Sequence, residues 1–168
     1  MIDPKTFLNF LKSRRSIRNF EEKEIEDEHL KMILEAGRWA PSASNRQPWQ
    51  FIVIKNGDIL EKISKEAVYG GFLRKAPLAI AIVGKISENP NWYIQDTSLV
   101  SMNMMLMAWS LGIGSCWIGT MNREKVKQIL GLTEDDFLLT VLPFGYIKGR
   151  IPHPPPRKNL AEITRELI

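Results

Sequence analysis

Phe7, Phe10 and Leu11 recur at helical spacing behind the start signal Asp3-Pro4, which predicts a short first helix ending just before residue 14. From about Asp27 to Arg38, Leu30, Ile33 and Leu34 share one face and Glu and Lys occupy the other, the pattern of an amphipathic helix. The decapeptide APSASNRQPW, residues 40–49, breaks that helix with two prolines, and the β-branched run QFIVIK after it predicts a buried strand. Residues 58–67 predict a helix, GGFLRKAP a loop, and LAIAIVG, residues 78–84, a second strand. The longest helical stretch, residues 92–111, is apolar on most sides after Thr97 and is expected to be enclosed by the fold or by a second subunit. Gln95, Asp96, Ser98, Ser101 and Asn103 interrupt it and argue against a membrane span. GIGSCWIG supplies turn glycines and a short strand, Asn122 to Leu130 a helix, and FLLTVLPFGYI a final strand. KGRIPHPPPRKNL, with four prolines, is irregular until a last short helix after Asn159.

Helices alternating with three or four strands, with no repeat at a period of about 20–50 residues, predict an α+β layered fold. No composition break or linker divides the chain, so residues 1–168 are expected to form a single domain. At 44% hydrophobic and 25% charged residues the chain is globular in composition, which excludes a largely disordered protein. The formal charge of +4 suits an anionic small molecule as well as it suits nucleic acid. Aromatic residues are not interleaved with the basic ones, which makes nucleic acid the poorer of the two. Cys116 is the one cysteine, so no disulfide framework and no cysteine-based metal site is available within the chain. The N-terminus MIDPKTFLNF lacks a basic segment followed by an apolar run, and a cytoplasmic protein with no membrane partner is expected.

Several chemistries fail on their motifs. Gly112 and Gly114 begin a GxGxxG, but Trp117 stands at the third glycine, and no GxxxxGK[ST] occurs. Those glycines read instead as a helix-ending turn after Leu111 and a point of close backbone approach. His29 and His153 lie apart without carboxylates at ligand spacing, so no metal is expected and both read as structural. No GxSxG elbow exists, and Cys116 has no base near it in sequence. Glu21 to Glu28 is a solvated run favouring a helix N-terminus.

Two segments are more specific. RRSIRNF, residues 14–20, gathers Arg14, Arg15 and Arg18 around Ser16, a set able to hold a phosphate, although a solvated patch has the same composition. APSASNRQPW presents Ser42, Ser44, Asn45 and Gln47 between prolines and closes on Trp49; it suits a planar heterocycle with a polar edge, or is an ordinary surface loop.

RRSIRNF, APSASNRQPWQFIVI, LGIGSCWIG and LPFGYIKG…PPPRKNL stand in the order and spacing of the FMN-dependent nitroreductase and flavin reductase family, which the chain resembles over nearly its whole length. The resemblance implies a nitroreductase-like layered α+β fold, a central, mostly antiparallel sheet flanked by helices, in a domain-swapped type of homodimer with two FMN sites built from both chains. It places Arg14 and Ser16, with Arg15 nearby and Arg157 from the tail, on the FMN phosphate, and Arg18 near flavin N1 and O2. Pro41, Ser42, Ala43 and Ser44, with Asn45 and Gln47, come from the partner subunit in this scheme, and Ile118 and Gly119 offer backbone groups near flavin N5 and O4. The implied activity is hydride transfer from NADH or NADPH through FMN to a nitroaromatic, quinone or similar conjugated small-molecule acceptor by a ping-pong mechanism, with no essential catalytic side chain. Many members carry extra helices over the substrate pocket that have no counterpart here. A flavin-binding or flavin-sensing module without turnover, and specialised activities such as dehalogenation or flavin destruction, share the scaffold and stay open.

Overall fold

Strands β1 (Trp49–Ile54), β2 (Leu78–Lys85), β3 (Ile113–Ser115) and β4 (Asp136–Tyr146) form one antiparallel sheet in the order β1-β2-β4-β3 in the computed structural model, which describes residues 2–167. The two central strands are covered on both faces, and this is why they read as unbroken apolar runs rather than as alternations. Period two divides β2 between two cores: Leu78, Ile80 and Ile82 enter one, Ala79, Ala81 and Val83 the other. A bulge opposite Ile82 and Val83 inserts one residue into β4 and shifts its alternation, so that Leu138 and Val141, three positions apart, enter the same core.

QFIVIK was expected to be a buried strand, and here the structure differs. β1 is an edge strand with Ile54 alone fully buried, because β-branched residues suit a half-covered surface as well as an interior.

On one face of the sheet lie α2 (Asp27–Arg38) and α4 (Tyr93–Ser110), which contribute Leu30, Ile33, Val100, Met104, Met105 and Ala108 to the core. The other face is covered by α3 (Gly57–Lys65) and α5 (Arg123–Leu130), through Leu60, Ile63 and Val126. Asn56 and Asn122 start these two helices by accepting the backbone N–H of Ile59 and Lys125. α4 is enclosed only in part, since Leu99 and Met102 remain 45% and 43% exposed. Among the described residues no helix is long and apolar enough to cross a membrane.

A third, small cluster of Ile17, Phe20 and Ala76 pins the arginine segment along the free side of β3. The Ile17 N–H donates to the Ser115 carbonyl at 3.0 Å, and bridges at Ser16–Ser115 and Phe20–Ile147 extend the pairing. Gly114 permits this approach: a Cβ there would lie 2.5 Å from that of Ile17. Gly112, at φ +72°, ends α4 as the sequence suggested.

Helix α1 (Pro4–Ser13), capped by Asp3, buries none of its residues and leaves Phe7, Leu8 and Leu11 exposed. Residues 148–167 are likewise exposed, including the short α6 (Leu160–Ile163) with its Asn159–Glu162 capping box.

Candidate functional site

Because Ile17 enters the core, its neighbours Ser16 and Arg18 are turned to the other side of an extended segment, where they flank the buried Cys116. Burial pushes the Cys116 thiol up; the Arg18 guanidinium, a hydrogen bond from Ser16 and the Arg14 guanidinium oppose it without reversing the outcome. Arg14 is half-buried, and its Nη1 is buried with no hydrogen-bond partner among the described residues. Burial, with contributions from Arg157 and Arg15, holds its guanidinium below the usual arginine range. Arg14, Arg15, Arg157, Lys12 and Met102 line a common cavity of about 710 Å3.

Arg15 has a different geometry. Its Nη1 takes the carbonyls of Lys12, Ser13 and Arg14 at the end of α1, and its Nε takes that of Pro152 at 3.1 Å. It therefore caps α1 and ties the tail beside it, which brings Arg157 to the cavity.

Beyond Cys116 the chain passes into an exposed turn. Ile118 is buried, and its carbonyl accepts from Thr140 Oγ1 at 2.9 Å; the Gly119 carbonyl accepts from Arg123 Nη2 at 3.1 Å. The same guanidinium takes the carbonyls of Leu138 and Leu139 at the bulge of β4. One arginine thus satisfies the irregular backbone of two segments and fixes the Ile118–Gly119 turn to the sheet. Arg18, Phe72, Trp117, Ile118 and Gly119 surround a cavity of about 210 Å3, with Tyr69 and Thr120 at its margin. Tyr69 is 82% exposed, and Arg18 lies 5.8 Å from the centre of the Phe72 ring. No Asp, Glu or His lines this cavity.

The loop at 41–47 stands apart. Ser44, Asn45 and Gln47 have φ of 53°, 54° and 53°, a left-handed conformation that costs a residue with a Cβ about 1–2 kcal/mol. Ser42 Oγ accepts the Gln47 N–H at 2.9 Å, Gln47 Nε2 bonds back to Asn45, and Arg46 Nη1 reaches the Glu88 carbonyl. Ala43 N–H donates to Asp96 Oδ1 at 3.1 Å. Pro41, Ser44, Asn45 and Gln47 are exposed, Ser42 and Ala43 half-buried, and none of them lines either arginine cavity. Asp96 sits near the start of α4, whereas Ser13, next to Arg14, receives the indole N–H of Trp109 near its end. At about 1.5 Å per residue those anchors are roughly 20 Å apart along the helix.

The structure thus gathers Arg14, Arg15, Ser16, Arg18, Ile118, Gly119 and Arg157 on one side of the chain and leaves Pro41, Ser42, Ala43, Ser44, Asn45 and Gln47 elsewhere on the same chain. Sequence reasoning missed Tyr69, Phe72, Cys116, Trp117, Thr120 and the anchoring Arg123. An aromatic next to Gly70-Gly71 was the one available signal for Tyr69; nothing local marks Arg123. His29 packs with Tyr146, its Nδ1 3.0 Å from the hydroxyl, while His153 is exposed in the tail beside Arg150 and has no core role. A concavity of about 810 Å3 along α2 is apolar at Met32, Ala36, Trp39 and Met107 and rimmed by Asp27, Glu28, Lys31 and Glu35. Arg38 and the Trp39 indole hold Glu35 down at about 2.

The chain is similar to known proteins over most of its length. The family model described as the nitroreductase family matches residues 11–68 and 64–146. A relative from Archaeoglobus fulgidus, provisionally named an NADH dehydrogenase/NAD(P)H nitroreductase, is 38% identical over 148 residues, 84% of this chain and 85% of its own. An FMN-dependent nitroreductase from Clostridium difficile superposes with a TM-score of 0.81 at 32% identity, covering 86% of this chain and 89% of that one. A provisionally named nitroreductase from Desulfovibrio desulfuricans, solved in complex with FMN, gives 0.88 at 28% identity over 99% and 98% of the two chains.

Proposed function

The chain belongs to the nitroreductase family, and we propose that it is an FMN-dependent oxidoreductase that passes reducing equivalents from NADH or NADPH to a nitroaromatic, quinone or similar conjugated acceptor. The observation that carries this reading is Arg14, whose Nη1 is a buried donor without a partner among the described residues and whose side chain lines a cavity together with Arg15 and Arg157. Buried donors in folded proteins are paired, and guanidinium groups this close repel one another unless an anion lies between them. A phosphate monoester meets both needs. The neighbouring cavity, with Arg18, backbone at Ile118 and Gly119, and the rings of Phe72 and Trp117, fits a planar heterocycle with a polar edge.

In this scheme Arg14, Ser16 and Arg157 hold the phosphate, and Arg15 positions the tail that carries Arg157. Arg18 keeps a fixed positive charge at the edge of the ring where negative charge accumulates as electrons arrive. Thr140 and Arg123 hold the Ile118–Gly119 turn still. FMN, when bound, supplies the acceptance and return of hydride at N5. No carboxylate or imidazole lines the cavity and burial keeps Cys116 a thiol, so protons for the acceptor are drawn from water. One open face serves nicotinamide and acceptor in turn, a ping-pong order that parallel initial-rate lines test.

Pro41, Ser42, Ala43 and Ser44, with Asn45 and Gln47, serve the cofactor of a second copy of the chain. Their distance from the arginine cavities supports this, as do the exposed apolar residues Phe7, Leu8 and Leu11 of α1 and Leu99 and Met102 of α4. Titration of the purified protein with FMN, followed by NADH and NADPH oxidation, is the test. Failure to take up FMN, or FMN uptake without oxidation of either nucleotide, overturns the reading.

A further inference from the structure

Asp96 is 3% exposed and Asn89 4%, yet Asp96 spends one carboxylate oxygen on an exposed loop and Asn89 its side-chain amide on the other. Asp96 Oδ1 accepts the Ala43 N–H at 3.1 Å, and Asp96 Oδ2 accepts Asn89 Nδ2 at 2.9 Å. The Asn89 carbonyl in turn accepts the N–H groups of Trp92 and Tyr93, both at 3.1 Å, and so fixes Asn89 to the first turn of α4. No Lys or Arg pairs with Asp96 among the described residues. A buried carboxylate without a cation is a poor source of stability. Nor does α4 need it to begin, since the Asp96 N–H already reaches the Trp92 carbonyl at 2.9 Å. What the pair does is local: it sets the peptide that leads into three positions with positive φ, Ser44, Asn45 and Gln47.

We infer that Asp96 and Asn89 are positioning residues of the cofactor site, which hold the 42–47 loop in its binding conformation before any ligand arrives. A loop fixed in advance spares binding the cost of ordering it. The inference rests on the proposed role of this loop at the FMN of a second copy, and it adds that a buried pair in one chain sets the affinity of the site whose arginines belong to the other.

The polarity of the pair supplies a test. Asn89→Asp sets two carboxylates against each other and should weaken FMN binding roughly tenfold to a hundredfold, about 1.4–2.8 kcal/mol. Adding Asp96→Asn exchanges the roles: the amide at position 96 accepts from Ala43 and donates to the carboxylate at position 89, and affinity should return to within about threefold of the parent. Dissociation constants are compared by FMN fluorescence quenching under conditions where circular dichroism shows every variant folded. A mixed dimer of one Arg14→Ala chain and one Asn89→Asp chain should recover one tight FMN site per two chains, because both defects fall on the other site. No FMN uptake by the parent removes the flavin assignment and this inference together. Tight FMN binding by the parent with parental affinity in Asn89→Asp, a loss that the exchange does not restore, or a mixed dimer with no tight site overturns the positioning role and leaves the flavin assignment standing.

Discussion

Arg14→Met keeps the length and apolar stem of the side chain and removes its charge, and the structure assigns opposite signs to the effect on the empty and the loaded protein. Without ligand, the buried Nη1 of Arg14 has no partner, a defect that costs about 1–3 kcal/mol. Burial disfavours the guanidinium further, and Arg157 and Arg15 add like-charge repulsion. The side chain is only half-buried, so the low end of that range applies, and FMN-free Arg14→Met should be more stable than the parent by about 1 kcal/mol. For a chain of this size that is a rise of about 2–4 °C in Tm. With FMN, the variant loses a charge-assisted hydrogen bond of about 1.5–3 kcal/mol, roughly a 10- to 150-fold weaker Kd. Calorimetry of the stripped protein reads the first effect, and fluorescence titration reads the second. An ordinary structural arginine gives another pattern: the stripped variant melts below the parent and binds FMN with parental affinity. Either half of that pattern refutes the assignment of Arg14 to the phosphate.

Arg18→Ala, saturated with FMN, should bleach about a hundredfold more slowly with NAD(P)H in stopped flow, as expected for losing one donor at developing charge; a parental rate removes Arg18 from the ring edge. Gly114→Ala drives a Cβ to 2.5 Å from that of Ile17, so it should cost about 1–3 kcal/mol in urea unfolding and weaken FMN binding by shifting Ser16 and Arg18. Burial raises the Asp136 carboxyl, but the Lys85 ammonium and the Thr133 donors outweigh it and leave it below the usual carboxylate value. A depressed folded value means stability that is present above the unfolded pKa of about 3.9 and lost as pH falls through the folded one. The advantage of the parent over Asp136→Asn, roughly 1–3 kcal/mol, should therefore be constant from neutrality to about pH 4 and shrink below it; a difference that persists in acid excludes the ion pair as its source.

Helix α2 was readable to the residue because its one apolar stripe, Leu30, Ile33 and Leu34, is a local signal that tertiary packing leaves intact. The sheet order was not readable, since pairing β2 with β4 joins segments about fifty residues apart and no local rule names the partner. The arginine segment and the CWIG turn were legible as composition, but their meeting at Cys116 depends on the β3 edge. Three positive-φ residues in SASNRQ were hidden for a simple reason. Without a glycine, Asn45 alone in that stretch advertises a left-handed backbone, and nothing marks Ser44 or Gln47; the loop is held from Asp96, some fifty positions later. Arg15 shows the reverse case: its charge suggested a ligand, while its geometry spends Nη1 and Nε on backbone carbonyls.

The lack of spaced catalytic motifs in this sequence has a physical reason in the way the site is built. When a bound cofactor performs the chemistry, the protein contributes a few guanidinium groups and correctly aimed backbone, and neither leaves the spaced triads or ligand clusters that sequence patterns detect. Aim then depends on what restrains the backbone. At Ile118–Gly119 the restraint is Thr140 and Arg123, the latter spanning the bulge of β4; at 42–47 it is Asp96 with Asn89. Thr140, Asp96 and Asn89 are remote in sequence from the segments they hold and are buried, whereas Arg123 lies four residues past Gly119 and joins it to the bulge of β4. Tyr69, by contrast, stands exposed at the margin of the cavity and can change while that frame stays fixed. Sensitivity to substitution should accordingly follow these anchors more closely than proximity to the open face.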